Sequence, residues 1–165
     1  MGAYSLRGGM SHFFRRAAVR TLLLCTDGEK HTKNAEDLAL RLARQFQARL
    51  VGLYVVDPFL QKFTHEIYAV GREACREHLD RALREEGGKA LEALKERCRE
   101  AGVDFAAKFR CGPPDEEILA EIGEGSYDMV VMGARLLKGW RERWESVNLP
   151  QKIFSQSPIP MLFVR

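Results

Sequence analysis

Residues 20–28 read RTLLLCTDG, in which Leu22, Leu23, Leu24 and Cys25 form an unbroken apolar run closed by Asp27-Gly28. A half-exposed strand alternates apolar and polar residues, so a short continuous run ended by a turn pair marks a strand buried on both faces. Burial on both faces requires helices above and below the sheet, which puts the chain in the α/β class.

The sequence on the carboxyl side repeats the alternation of strand and helix. In TKNAEDLALRLARQFQ (32–47), Ala35, Leu38, Ala39, Leu42, Ala43 and Phe46 recur at helical spacing, and Thr32 is placed to cap the helix start. ARLVGLYVVD (48–57) is a second buried strand, and residues 59–70 read as irregular. Residues 72–101 read as a charged helix with Ala74, Leu79, Ala82, Leu83, Leu91, Leu94 and Cys98 on its apolar side. Gly87-Gly88 is a point where that helix bends or divides, since two glycines cost about 2 kcal/mol of helix propensity. Gly102 then stops it. VDFAAKFRCG (103–112) alternates, as a strand near a sheet edge does, and PPDEEILAEIGE (113–124) opens a helix with prolines and acids. YDMVVMG (127–133) is a fourth apolar strand, residues 148–155 a further helix, and PIPMLFVR (158–165) a terminal strand. The order predicts a three-layer doubly wound sandwich: a five-stranded parallel sheet with helices on both faces.

Composition narrows the functional classes. The chain has 165 residues, enough for one domain with a proper core; we assign 19–165 to it and 1–18 to a flexible, basic N-terminal extension. A net charge of +3 falls short of the basic stripe of a nucleic-acid binder. No run of about 18 apolar residues is present to span a membrane, and the arginine-bearing start has no apolar segment of a secretory signal. Cys25, Cys75, Cys98 and Cys111 include no CxxC pair, which argues against a disulfide framework or structural zinc and for a cytoplasmic location.

In a doubly wound sheet ligands sit beyond the carboxyl ends of the strands, where the strand order reverses. Those ends carry Thr26 and Asp27, Val55, and Met132 and Gly133. Asp27 is suited either to accept hydrogen bonds from a ribose or base or simply to cap its own turn. The backbone from Gly133 to Arg135 is placed to approach a phosphate. Arg135, Lys138, Arg141 and Arg143 make the next loop basic, fit for an anion or for plain solvation. No catalytic residue is assigned: the histidines are scattered, only His31 falls near the crevice, Cys25 sits inside a strand, and no metal-ligand spacing occurs. The terminal strand, with Met161, Leu162, Phe163 and Val164, is expected at a sheet edge, where pairing with its own copy would make a homodimer.

Three blocks, LLLCTDGEKHTKNAEDLALRLARQFQARLVGLYVVD, CGPPDEEILAEIGEGSYDMVVMGAR and KIFSQSPIPMLFVR, together resemble the universal stress protein family over nearly all of 21–165. ATP-binding members carry a loop of the form G-x2-G-x9-G-[ST]. Here Gly133 matches its first position, but Leu136 stands at the second. Ser146 and Val147, or Val147 and Asn148 with one insertion, stand at the last two. The segment is more similar to members lacking the full ATP loop. The resemblance implies a cytoplasmic, dimeric stress-response module that binds rather than catalyses, without a cofactor. The alternative is a nucleotide module holding ATP or AMP with Mg, or slowly hydrolysing ATP, through Thr26, Asp27, Val55, Met132, Gly133, Arg135 and Asn148. Its partners would be itself and a small nucleotide or anion, with neither nucleic acid nor membrane.

Overall fold

The computed structural model describes residues 18–57, 85–134 and 149–165. Its elements are β1 (Thr21–Cys25), α1 (Lys33–Phe46), β2 (Arg49–Val56), α2 (Glu86–Glu100), β3 (Phe105–Cys111), α3 (Pro114–Glu124), β4 (Met129–Gly133), α4 (Leu149–Gln156) and β5 (Met161–Val164). The five strands form one sheet in the order β3-β2-β1-β4-β5, every pair parallel. The chain winds from β1 out to β2 and β3, crosses back to β4 on the other side of β1, and ends on β5.

The unbroken apolar run of β1 has a direct physical cause. Leu22 and Leu24 pack with Ala35, Ala39 and Ala43 of α1 and with Leu91, Leu94 and Cys98 of α2. Leu23 and Cys25 point the other way, onto Ile118 and Ile122 of α3 and Ile153 of α4. Alternate residues thus feed two separate cores, so every position must be apolar. Each leucine buried this way contributes roughly 1.5–3 kcal/mol of transfer free energy. At the sheet's outer edges the demand relaxes: β3 mixes Phe105 and Phe109 with Lys108 and Arg110, as its alternation predicted.

Several local expectations change. Thr32 makes no capping bond to α1, because its hydroxyl turns back into the preceding loop. Phe46, expected in the apolar stripe, is 44% exposed at the end of α1. Gly87 and Gly88 lie in the first turn of α2, where the helix has few internal bonds to lose. Cys111 is disulfide-bonded, contrary to the argument from cysteine spacing, whereas Cys25 and Cys98 are free and buried. The proposed N-terminal extension to residue 17, the irregular stretch 59–70 and the helix before Glu85 lie outside the described residues.

Candidate functional site

β1 and β4 run side by side, with Cys25 opposite Met132, so the winding reverses between them. Beyond their carboxyl ends lies the switch point where folds of this topology receive ligands in a crevice. Thr26, Asp27 and Gly28 stand on one side, Gly133 and Ala134 on the other. The Thr26 N–H still donates to Leu53 O at 3.0 Å, extending the sheet to the crevice floor.

Of the two roles open to Asp27 in the sequence, the capping of its own turn is seen directly. Its Oδ1 accepts the Glu29 N–H at 3.0 Å and fixes the turn, while Oδ2 lies 3.3 Å from His31 Nε2. The carboxylate remains 47% exposed at the mouth. Thr32 donates from Oγ1 to the Glu29 carbonyl at 2.8 Å, closing a short 3₁₀ turn over Lys30–Thr32 that leads into α1.

Gly133 packs against that turn. A Cβ added there would lie 3.1 Å from His31 O and from Thr32 Cα and Cγ2. The glycine therefore has a packing role independent of any ligand: it lets the end of β4 meet the β1–α1 connection.

Sequence reasoning missed Glu36. Only 1% exposed, it lies inside the first turns of α1, with Oε1 accepting the Thr26 hydroxyl at 2.9 Å. Oε2 takes Lys33 Nζ at 2.9 Å and a guanidinium nitrogen of Arg97, from α2, at 3.2 Å. Arg97 also pairs with Asp37. The available signal was position: Glu36 lies on one helical stripe with Thr32, Ala39 and Ala43, all buried. A carboxylate on a buried stripe demands partners, since an unpaired buried charge costs several kcal/mol.

The other expected site residues divide. Thr26 is buried with its hydroxyl aimed at Glu36, away from the mouth. Met132 buries its side chain in the α3–α4 core, and Val55, partly buried, packs against the same cluster. Arg135 and Asn148 lie outside the described residues, as does the remaining basic loop. Met161, Leu162, Phe163 and Val164 make up β5, at the sheet edge and half-buried throughout.

A second buried carboxylate, Glu121 on α3, receives Lys108 Nζ, Arg110 Nε at 2.8 Å and the Tyr127 hydroxyl. Arg110 also bonds Glu117 at 3.1 Å and Glu124, so the edge strand β3 is clamped to α3 by charge. Burial raises the Glu121 carboxyl, but the hydrogen bonds outweigh it and hold it below the ordinary value. Burial and the Glu121 bond push Tyr127 up to about 12. Burial, reinforced by nearby Glu121, pushes Cys25 up to about 12, so its thiol is a poor nucleophile. Among the described residues no cluster of three or more His, Cys, Asp or Glu is arranged to hold a metal. None of their helices is long and apolar enough to cross a membrane.

Comparison with known proteins agrees with this architecture. The universal stress protein family model matches residues 18–165. The universal stress protein from the QAH/OAS sulfhydrylase 3′ region of Thermus aquaticus is 32% identical over 147 residues, covering 88% of this chain and 98% of its own. A universal stress protein solved in complex with cAMP superposes with a TM-score of 0.62 at 20% identity, covering 90% of this chain and 98% of its own. One from Archaeoglobus fulgidus in complex with dAMP gives 0.59 at 10% identity, covering 90% and 99%. The architecture and a family match over nearly the whole chain agree, and the chain belongs to the universal stress protein family.

Proposed function

We propose that this chain is a cytoplasmic stress-response module that acts by binding and by pairing with its own copy, not by catalysis. The observation that carries the proposal is the outer edge of β5. Its four apolar side chains are only half-buried, and Phe154 of α4 is 61% exposed, edge-on to Phe163 at 6.3 Å. An apolar edge strand flanked by an exposed aromatic is a surface that soluble monomers avoid. Pairing antiparallel with a second copy across a two-fold axis satisfies the edge backbone and covers the rings. Light scattering on the intact chain at tens of micromolar tests this, and a monomeric mass would overturn it.

The crevice supports a second, compatible reading, that of a small purine nucleotide site without a cofactor metal. Asp27 presents a carboxylate beside the backbone ends of β1 and β4, at the switch point where such folds receive ligands. The relatives solved with cAMP and dAMP favour the same ligand class. Leu136, Ser146 and Val147 replace the glycines and hydroxyl of the full ATP loop, so the triphosphate is held weakly. Losing several charge-assisted bonds at about 1.5–3 kcal/mol each takes micromolar affinity to millimolar. Calorimetry comparing AMP, cAMP and ATP with magnesium decides between them; low-micromolar ATP binding would refute the loss of the cradle.

A further inference from the structure

We infer that Glu36, which faces away from the crevice mouth, is the positioning residue for Asp27 and acts through Thr26 and Gly28. This rests on the nucleotide reading of the crevice. The chain of contacts is short and directional. The Thr26 hydroxyl donates to Glu36 Oε1 at 2.9 Å, which leaves its lone pairs to accept the Gly28 N–H at 3.1 Å. Gly28 is held at a φ of 75°, a left-handed conformation natural to glycine, and a Cβ there would stand 2.8 Å from Ala90 Cβ of α2. Asp27 lies between these two fixed residues, so its carboxylate is aimed by the backbone on either side as well as by its own bond to Glu29.

A competing geometry lies within reach. The Thr32 hydroxyl oxygen is 3.1 Å from that of Thr26, so without Glu36 the Thr26 proton turns toward Thr32 and the rotor no longer has one preferred setting. Glu36 is itself held by Lys33 and by Arg97. The position of α2 is thereby read at the crevice through one carboxylate. That accounts for a buried charge where an apolar side chain would be simpler for stability, since buried ion pairs gain orientation more than they gain stability.

The test is a double-mutant cycle of Thr26→Val and Glu36→Leu in the full chain. AMP affinity is read by calorimetry, and Gly28 amide exchange is read by nuclear magnetic resonance without ligand. Each single variant is expected to bind AMP about tenfold more weakly, and the double variant no more weakly than either single one, because the two residues act as one unit. Thr26→Ser, which keeps the hydroxyl, should bind more tightly than Thr26→Val. The Gly28 amide should exchange faster in both single variants. Additive losses in the cycle, or unchanged Gly28 exchange in a folded Thr26→Val chain, overturn the relay. Should the unaltered chain not bind AMP, the nucleotide reading falls, and Gly28 exchange alone decides whether Glu36 sets the turn. If Glu36→Leu fails to fold, Glu36→Gln, which keeps the size and removes the charge, takes its place in the cycle, and unchanged AMP affinity and Gly28 exchange in that variant overturn the relay.

Discussion

Gly133 at the end of β4 and Thr32 at the head of α1 are in such close contact that a Cβ on the glycine would stand 3.1 Å from two Thr32 atoms. One of them is the backbone Cα, so relief requires moving the turn and not merely a side chain. Gly133→Ala is therefore expected to destabilise the fold by about 1 kcal/mol, as overpacking of a tight contact does, with Gly133→Val worse. Urea unfolding measures this. An unchanged midpoint in Gly133→Val would show that the turn yields freely.

Glu121 gives the fold a defined acid sensitivity. Burial opposes its charge, but Lys108, Tyr127 and Arg110 together hold the carboxyl below its ordinary value. A carboxyl lowered in the folded state adds stability that is complete above its unfolded value of about 4.3 and vanishes as pH falls through the folded value. Unfolding free energy should thus drop more steeply in the unaltered chain than in Glu121→Gln as pH falls below about 4.3. At neutral pH the substitution should cost about 1.5 kcal/mol by exchanging charge-assisted bonds for neutral ones, since Arg110 keeps Glu117 and Glu124 and Lys108 reaches water. Parallel pH profiles for the two proteins would contradict this assignment.

The layers of the fold were legible because the apolar residues of β1, β2 and β4 can be explained only by cover on both faces. The edge position of β3 was legible from its alternation, and that of β5 from the winding order. The two buried glutamates were not. Nothing in a single polar letter marks Glu36 as buried, and its partner Arg97 lies 61 residues away. Position on the stripe of Thr32, Ala39 and Ala43 was the one local clue. Phe46 misled in the opposite direction: it keeps helical spacing but falls in the last turn of α1, beyond the cover of the sheet. At the strand ends position is legible in the sequence but side-chain direction is not. Strand residues alternate faces, and Met132 falls on the face that α3 and α4 cover.

Cys25 and Cys98 should be silent toward thiol reagents in the native state. Burial pushes the first up to about 12 and the second up to about 11, and both are enclosed between sheet and helix. At neutral pH a mild aromatic disulfide reagent should label neither until denaturant is added, after which both react. Rapid modification of the folded chain at either position would mean that the local cover opens readily.

Phe154→Glu should separate self-association from folding. The side chain is 61% exposed, so a charge there meets water in the single chain and leaves the buried core around Ile153 intact. In a β5-paired dimer the same position lies beside Phe163, whose ring it flanks edge-on. Pairing of four residues covers too little by itself, since a stable interface typically buries about 800 Å² per partner. The exposed Phe154 and the rest of the outer face of α4 must therefore supply much of the area. Placing one carboxylate from each copy on that surface forfeits apolar burial and brings like charges together, and a loss of about 3 kcal/mol would weaken the dimer more than a hundredfold. Leu162→Lys is the poorer probe, because Leu162 also packs on the first core and its loss would unfold the chain as it dissociates it. Light scattering and thermal unfolding of Phe154→Glu should show a monomer at micromolar concentration that melts cooperatively. Retention of the dimer would move the interface away from the β5 edge.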